Sequence, residues 1–180
     1  MKKEYWIKGI ISIALIAFAI YFGVSIGKSA VFYDLYNLNA DTGSLALRAD
    51  LGGDNIYRSI YHYFQLTSYT SVAYFVYFAS IILLLILNKG QIKRQGWLFM
   101  VAILAILFSP FEIYVILKDI EISRIIFWGG GAEAAADKIN EYMKFHSDSK
   151  FSLISGLSFL SQITIFVFAV FKPLNSENAK

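Results

Sequence analysis

Residues 8–28 read KGIISIALIAFAIYFGVSIGK, so nineteen uncharged residues, 9–27, separate Lys8 from Lys28. At ~1.5 Å per residue a helix of that length covers most of the ~30 Å hydrocarbon core of a bilayer. A Lys, Arg, Asp or Glu at the centre of that core costs roughly 2.5–3.5 kcal/mol or more, so the missing charge marks the span. The same criterion finds three further runs. Ser59–Asn88 holds thirty residues without Lys, Arg, Asp or Glu, Gln95–Leu117 holds twenty-three broken only by Glu112, and Phe151–Phe171 holds twenty-one. One such run is also compatible with a core helix of a soluble domain, but four in 180 residues are not. The sequence therefore predicts an all-α integral membrane protein, a four-transmembrane-helix bundle forming one membrane domain over 1–180. The spans are expected at about 9–27, 66–87, 97–117 and 151–171, with outward loops at about 28–58 and 118–150.

Met1-Lys2-Lys3 ahead of the first run resembles the basic start of a signal peptide. The apolar stretch behind it is longer than the usual ~7–15 residues and no small-x-small cleavage site follows, so it reads as a retained span. Composition points the same way. Hydrophobic residues make up 57% and charged residues 16%, against roughly 45–50% and about 25% in soluble domains. The chain has no cysteine, which removes disulfides, thiol redox chemistry and cysteine metal sites from consideration.

Charge distribution sets the expected orientation. The N-terminal segment, the short loop Lys89–Arg94 and the tail hold eight basic residues and two acids; the two longer loops hold eight basic residues and ten acids. Basic residues concentrated on short segments near span ends predict cytoplasmic N- and C-termini, in a prokaryotic cytoplasmic (inner) membrane. A net charge of +3 spread this way gives no footprint for nucleic acid.

The outward loops carry local patterns. Asn37, Asn39, Asp41 and Gly43 alternate as in a calcium loop, but Thr42 and Arg48 stand where an EF-hand needs Gly and Glu. Tyr57, Tyr61 and Phe64 share one face of an expected outward extension of the second span and suit a headgroup layer. Gly129-Gly130-Gly131 predicts a helix break, since each glycine costs ~1 kcal/mol relative to alanine in a helix. After it, Ala132, Ala135, Ala136, Ile139, Tyr142 and Met143 repeat at helical spacing, with Glu133, Asp137, Lys138, Asn140, Glu141 and Lys144 between them. This predicts a short amphipathic helix on the extracytoplasmic side. Its polar face is mixed in sign, which favours packing on the chain over attraction to lipid headgroups.

Glu112 is the one formally charged residue inside a predicted span, two residues after Pro110, which frees the Ile106 carbonyl. Such a carboxylate is a candidate functional group by default. Ser155, Ser158 and Gln162 in the fourth span and Ser68 in the second are expected at a similar depth, and together they make a candidate polar intramembrane site. Small and hydroxyl residues are also ordinary helix-packing material. In the first span Ala19, Gly23 and Gly27 form a small-xxx-small ridge that permits close helix approach. The two histidines, His62 and His146, both fall in outward segments, so paired intramembrane haem ligands are absent. No catalytic, cofactor-binding or metal-binding motif is present.

Function is therefore expected from packing. The reading is a non-enzymatic accessory or assembly subunit without cofactor, whose partners are the lipid bilayer and other membrane subunits or a second copy of the chain. The alternative is a small transporter, channel element or ligand-binding membrane protein using Glu112 and the polar face of the fourth span.

Overall fold

The computed structural model describes residues 2–38, 45–48, 53–131, 136–147 and 149–172. They form five α-helices: α1 (Lys2–Leu35), α2 (Gly53–Leu87), α3 (Gly96–Trp128), α4 (Ala136–Ser147) and α5 (Ser149–Phe171). Four of them contain stretches long and apolar enough to cross a membrane: Tyr5–Leu35, Asn55–Leu87, Gly96–Trp128 and Leu153–Phe171. Among the described residues the fold is helical apart from one short antiparallel ladder, β1 (Tyr36–Leu38) with β2 (Leu45–Leu47), in register Tyr36↔Leu47. The bond from the Arg48 amide to the Leu35 carbonyl (3.1 Å) ties that hairpin to the end of α1. Of the calcium-like stretch, Asn39, Asp41 and Gly43 lie outside the described residues.

α1, α2 and α3 have 34, 35 and 33 residues, or ~50 Å each, well beyond a ~30 Å hydrocarbon layer. Residues 28–35, 53–58 and 118–128, expected in outward loops, are therefore helical. Charge does not end these helices, because their extensions find apolar partners. The chain packs as two compact units, one of residues 1–20, 72–114 and 155–180, the other of residues 21–71 and 115–154.

In the first unit Phe18 of α1 stacks on Phe166 of α5 at 4.4 Å and tilts against Tyr77 of α2 at 5.4 Å. Leu84, Leu98, Val101 and Ile165 are buried around them. A single 3-10 turn, Lys89–Gln91, joins α2 to α3, and the Asn88 side chain donates to the Leu84 carbonyl (2.9 Å) at the end of α2. The ammonium of Lys172 sits 5.7 Å from the ring centroid of buried Trp97. α3 continues unbroken through Pro110. Large apolar side chains of this unit are exposed, Ile106 by 77% and Val72 by 66%.

The second unit is centred on Leu35, Ile60, Tyr63, Phe64, Ile122, Ile126, Ile139 and Tyr142, drawn from α1, α2, α3 and α4. Tyr57 and Tyr61 are exposed as expected, but Phe64 is fully buried. The Tyr142 ring of α4, 5.7 Å away, covers it. α3 ends at Trp128, and Gly130 and Gly131 follow at φ 110° and 90°, conformations that side-chain-bearing residues rarely adopt. The amphipathic helix is present over α4, with Ile139 and Tyr142 buried and Asp137, Lys138 and Glu141 exposed. Ala132, Glu133 and Ala135 lie outside the described residues.

Candidate functional site

Glu112 and Ser158 meet: Ser158 Oγ donates to Glu112 Oε2 at 2.8 Å, linking α3 to α5. Ser158 is fully buried. Four residues on, hence on the same face of α5, Gln162 is 1% exposed. Neither Nε2 nor Oε1 of its amide has a hydrogen-bond partner among the described residues. The Gln162 backbone carbonyl, by contrast, accepts from Tyr77 Oη at 3.1 Å. Ser109, buried one turn before Glu112, lies beside the phenol of buried Tyr74, which is within electrostatic reach of the Glu112 carboxylate. The polar centre of the first unit thus brings together Glu112, Ser158 and Gln162, and adds Ser109, Tyr74 and Tyr77. Ser109 stands three residues before Glu112, the spacing of helix-face neighbours, and that was the sequence signal for it.

The other candidate residues stand apart. Ser155, one turn before Ser158, is half-buried. Ser68 belongs to the second unit and its side chain is exposed. Its neighbours Thr67, Thr70 and Ser71 are buried, and their hydroxyls donate to carbonyls of α2 itself, as in Ser71 Oγ to Thr67 O at 2.7 Å. Such back-bonding satisfies the hydroxyl locally. Of the ridge, Ala19 and Gly23 are exposed and Gly27 is half-buried, and a Cβ added at Gly23 or Gly27 would meet nothing within 4 Å among the described residues beyond its own helix backbone.

A second polar centre has no motif in the sequence to announce it. Lys28 of α1 forms an ion pair with Asp119 Oδ2 of α3, with side chains 14% and 3% exposed. Tyr142 of α4 donates to Asp119 Oδ1. Its one hydroxyl proton is committed there, so Tyr63 of α2 donates to Tyr142 Oη across 3.0 Å. The Lys28 ammonium also sits 4.7 Å from the Tyr63 ring centroid, a cation–π arrangement. Ser123 Oγ donates to the Asp119 backbone carbonyl (2.8 Å). Four helices thereby converge on one carboxylate. Burial, and then the charge of Asp119, pushes the Tyr142 phenol well above its ordinary value, so it serves as a neutral donor. The ring of His146 packs on that of Tyr142 at 3.9 Å. Burial lowers the His146 imidazole to about 4, with Asp119 opposing, so it is uncharged at neutral pH. Its Nδ1 donates to the Tyr142 carbonyl (3.1 Å).

Buried ion pairs add little net stability over apolar replacements, but losing one partner strands a charge. This cluster therefore acts as a clasp: each group is engaged and α4 is held to α1, α2 and α3. Around it the exposed pairs Lys138–Glu121 (2.8 Å) and Lys118–Glu121 (3.5 Å) add little, since surface pairs contribute about 0–1 kcal/mol. In the sequence Lys28 and Asp119 each look like the water-side limit of a span. That both limits fall on the same side of the expected bilayer is the signal that could have paired them. The chain matches no protein family, no characterised protein and no solved structure.

Proposed function

We propose that the chain is a non-enzymatic four-span subunit of a prokaryotic cytoplasmic membrane, with both termini inside, that assembles with other membrane helices through α1. The observation that carries this reading is the ridge Ala19–Gly23–Gly27, where a Cβ added at either glycine meets nothing within 4 Å among the described residues beyond its own helix backbone. In lipid, helices associate by close packing, and small residues at four-residue spacing let two backbones approach. The polar groups around Asp119 are occupied with one another and support a structural role.

Gly23→Leu tests it. Purified from native membranes in mild detergent, the unaltered chain is expected to bring down a partner or a second copy. Gly23→Leu is expected to weaken that association at least ~10-fold, equivalent to about 1.4 kcal/mol, while the unfolding midpoint stays unchanged. A lone monomer from native membranes, or a variant that associates as before, contradicts the reading.

A second reading, a ligand-binding or transport role for the polar centre of the first unit, is favoured by the Glu112–Ser158 bond and the buried Gln162 amide. Glu112→Gln is its test: an unchanged cellular phenotype removes its main residue.

A further inference from the structure

We infer that the cleft between α1, α2 and α5, at the Lys172 end of the first unit, takes one acyl chain of an anionic phospholipid whose phosphate meets Lys89 and Lys172. The inference rests on the reading above that these helices span a membrane with the Lys89–Arg94 turn inside, and it is independent of assembly through α1.

The shape of the cleft points to a hydrocarbon tail. Ala14 of α1, Ile81 and Leu84 of α2 and Ala169 of α5 form its buried floor, and Ile11 and Val170 at its sides are half-buried. The gap arises because α1 and α5 each place an alanine here, one turn from the Phe18–Phe166 stack that brings the two helices together. Ser80 is the one polar residue on the wall, and its hydroxyl is spent on the Val76 carbonyl (2.8 Å). A site without free polar groups does not hold water, and close-packed proteins leave few such gaps unfilled. Within a bilayer the filler at hand is a chain of methylenes.

Charge at one end of the cleft names the headgroup. Lys172 follows α5 directly, two residues past Val170, and Lys89 opens the turn after α2, five residues past Leu84. Both therefore stand roughly one helical turn beyond the cleft. Lys93 and Arg94 follow in the same turn and are exposed. None of these four cations has an acidic partner among the described residues. The Lys172 ammonium lies 5.7 Å from the ring centroid of Trp97, an aromatic of the kind that settles at headgroup depth. Basic clusters on the inner side of a span attract anionic lipid. A zwitterionic lipid offers the same tail but no net charge to these residues.

The test is thermal unfolding of the full chain in a neutral maltoside detergent at constant ionic strength. It is titrated with dioleoyl phosphatidylglycerol, with dioleoyl phosphatidylcholine or with glycerol phosphate. Phosphatidylglycerol is expected to raise the midpoint saturably, by on the order of 5–10 °C at one hundred times its Kd. Phosphatidylcholine should bind at least ~10-fold more weakly, and glycerol phosphate should give no rise. Lys89→Gln/Lys172→Gln should remove most of the preference between the two lipids. Ala169→Val narrows the cleft and should weaken both lipids at least ~10-fold, the worth of about two displaced methylenes, with the lipid-free midpoint retained. Ala14→Val, from the opposite wall, carries the same test if that variant does not fold. Coincident curves for the two lipids on the unaltered chain, a rise with glycerol phosphate alone, or an undiminished phosphatidylglycerol response in the narrowed or the charge-depleted variant each overturn the assignment. The reading beneath it fails separately: labelling of Lys93→Cys by an impermeant thiol reagent in intact cells would put this end outside and leave the binding curves as they are.

Discussion

Asp119→Ala is expected to destabilise the chain by roughly 3–5 kcal/mol, the cost of removing one partner from a buried ion pair. Three consequences add up. The Lys28 ammonium, 14% exposed, loses its counter-charge; the Tyr142 hydroxyl loses its acceptor; and the contact between α1 and α3 through this carboxylate is gone. Asp119→Asn keeps an acceptor for Tyr142 and should cost less. The informative control is the double variant Lys28→Met/Asp119→Leu. Replacing a buried pair by apolar groups is often neutral or stabilising, so the double variant should recover most of what Asp119→Ala loses. Urea or SDS unfolding in detergent, followed by circular dichroism, reads all three. A double variant as unstable as Asp119→Ala would show that the carboxylate matters for something other than its partner.

Tyr142→Ala is expected to cost a further ~3–5 kcal/mol on its own, as for other large aromatic truncations in cores, and to release α4. The helix has only twelve residues, too few to persist unaided in water. Of its described side chains, Ile139 and Tyr142 are the buried apolar ones. Removing the Tyr142 ring uncovers Phe64, 5.7 Å away, and takes away one of the rings packed on His146. Trypsin cleavage at exposed Lys138 should accelerate accordingly. Tyr142→Phe isolates the hydroxyl, and its cost of about 1–3 kcal/mol should leave α4 docked and protected. Because Tyr142 and Asp119 touch, the two alanine substitutions should fall short of additivity by roughly 0.5–3 kcal/mol.

The four stretches long and apolar enough to cross a membrane were legible because hydrocarbon imposes one strong rule, the exclusion of charge, and the sequence obeys it over four runs but for Glu112. The amphipathic α4 and the glycine break before it were legible for a similar reason: Ile139 and Tyr142 follow the helical period, and Gly130 and Gly131 take up backbone angles that other residues avoid. Helix ends were not. The first charge looks like the end of a span, yet α1 and α3 run seven and eleven residues past Lys28 and Leu117, because Lys28 and Asp119 pair with each other and the extensions bury apolar residues. Glu112 and Ser158, which the sequence expects at a similar depth, share a hydrogen bond. Ser68 belongs to the second unit, where the buried face of α2 is held by Thr67, Thr70 and Ser71. The clasp at Asp119 was hidden for a third reason: a charge beside a span looks like an end marker until its partner on another helix is known.

The absence of native cysteine makes single-cysteine labelling with a membrane-impermeant thiol reagent the most direct test of four crossings with cytoplasmic termini. Lys93→Cys, in the turn between α2 and α3, should react only after intact cells are permeabilised, whereas Glu141→Cys, on the exposed face of α4, should react before. Labelling of Lys93→Cys in intact cells, or protection of Glu141→Cys there, would contradict the arrangement on which the membrane depth of Glu112, Ser158 and Gln162 depends.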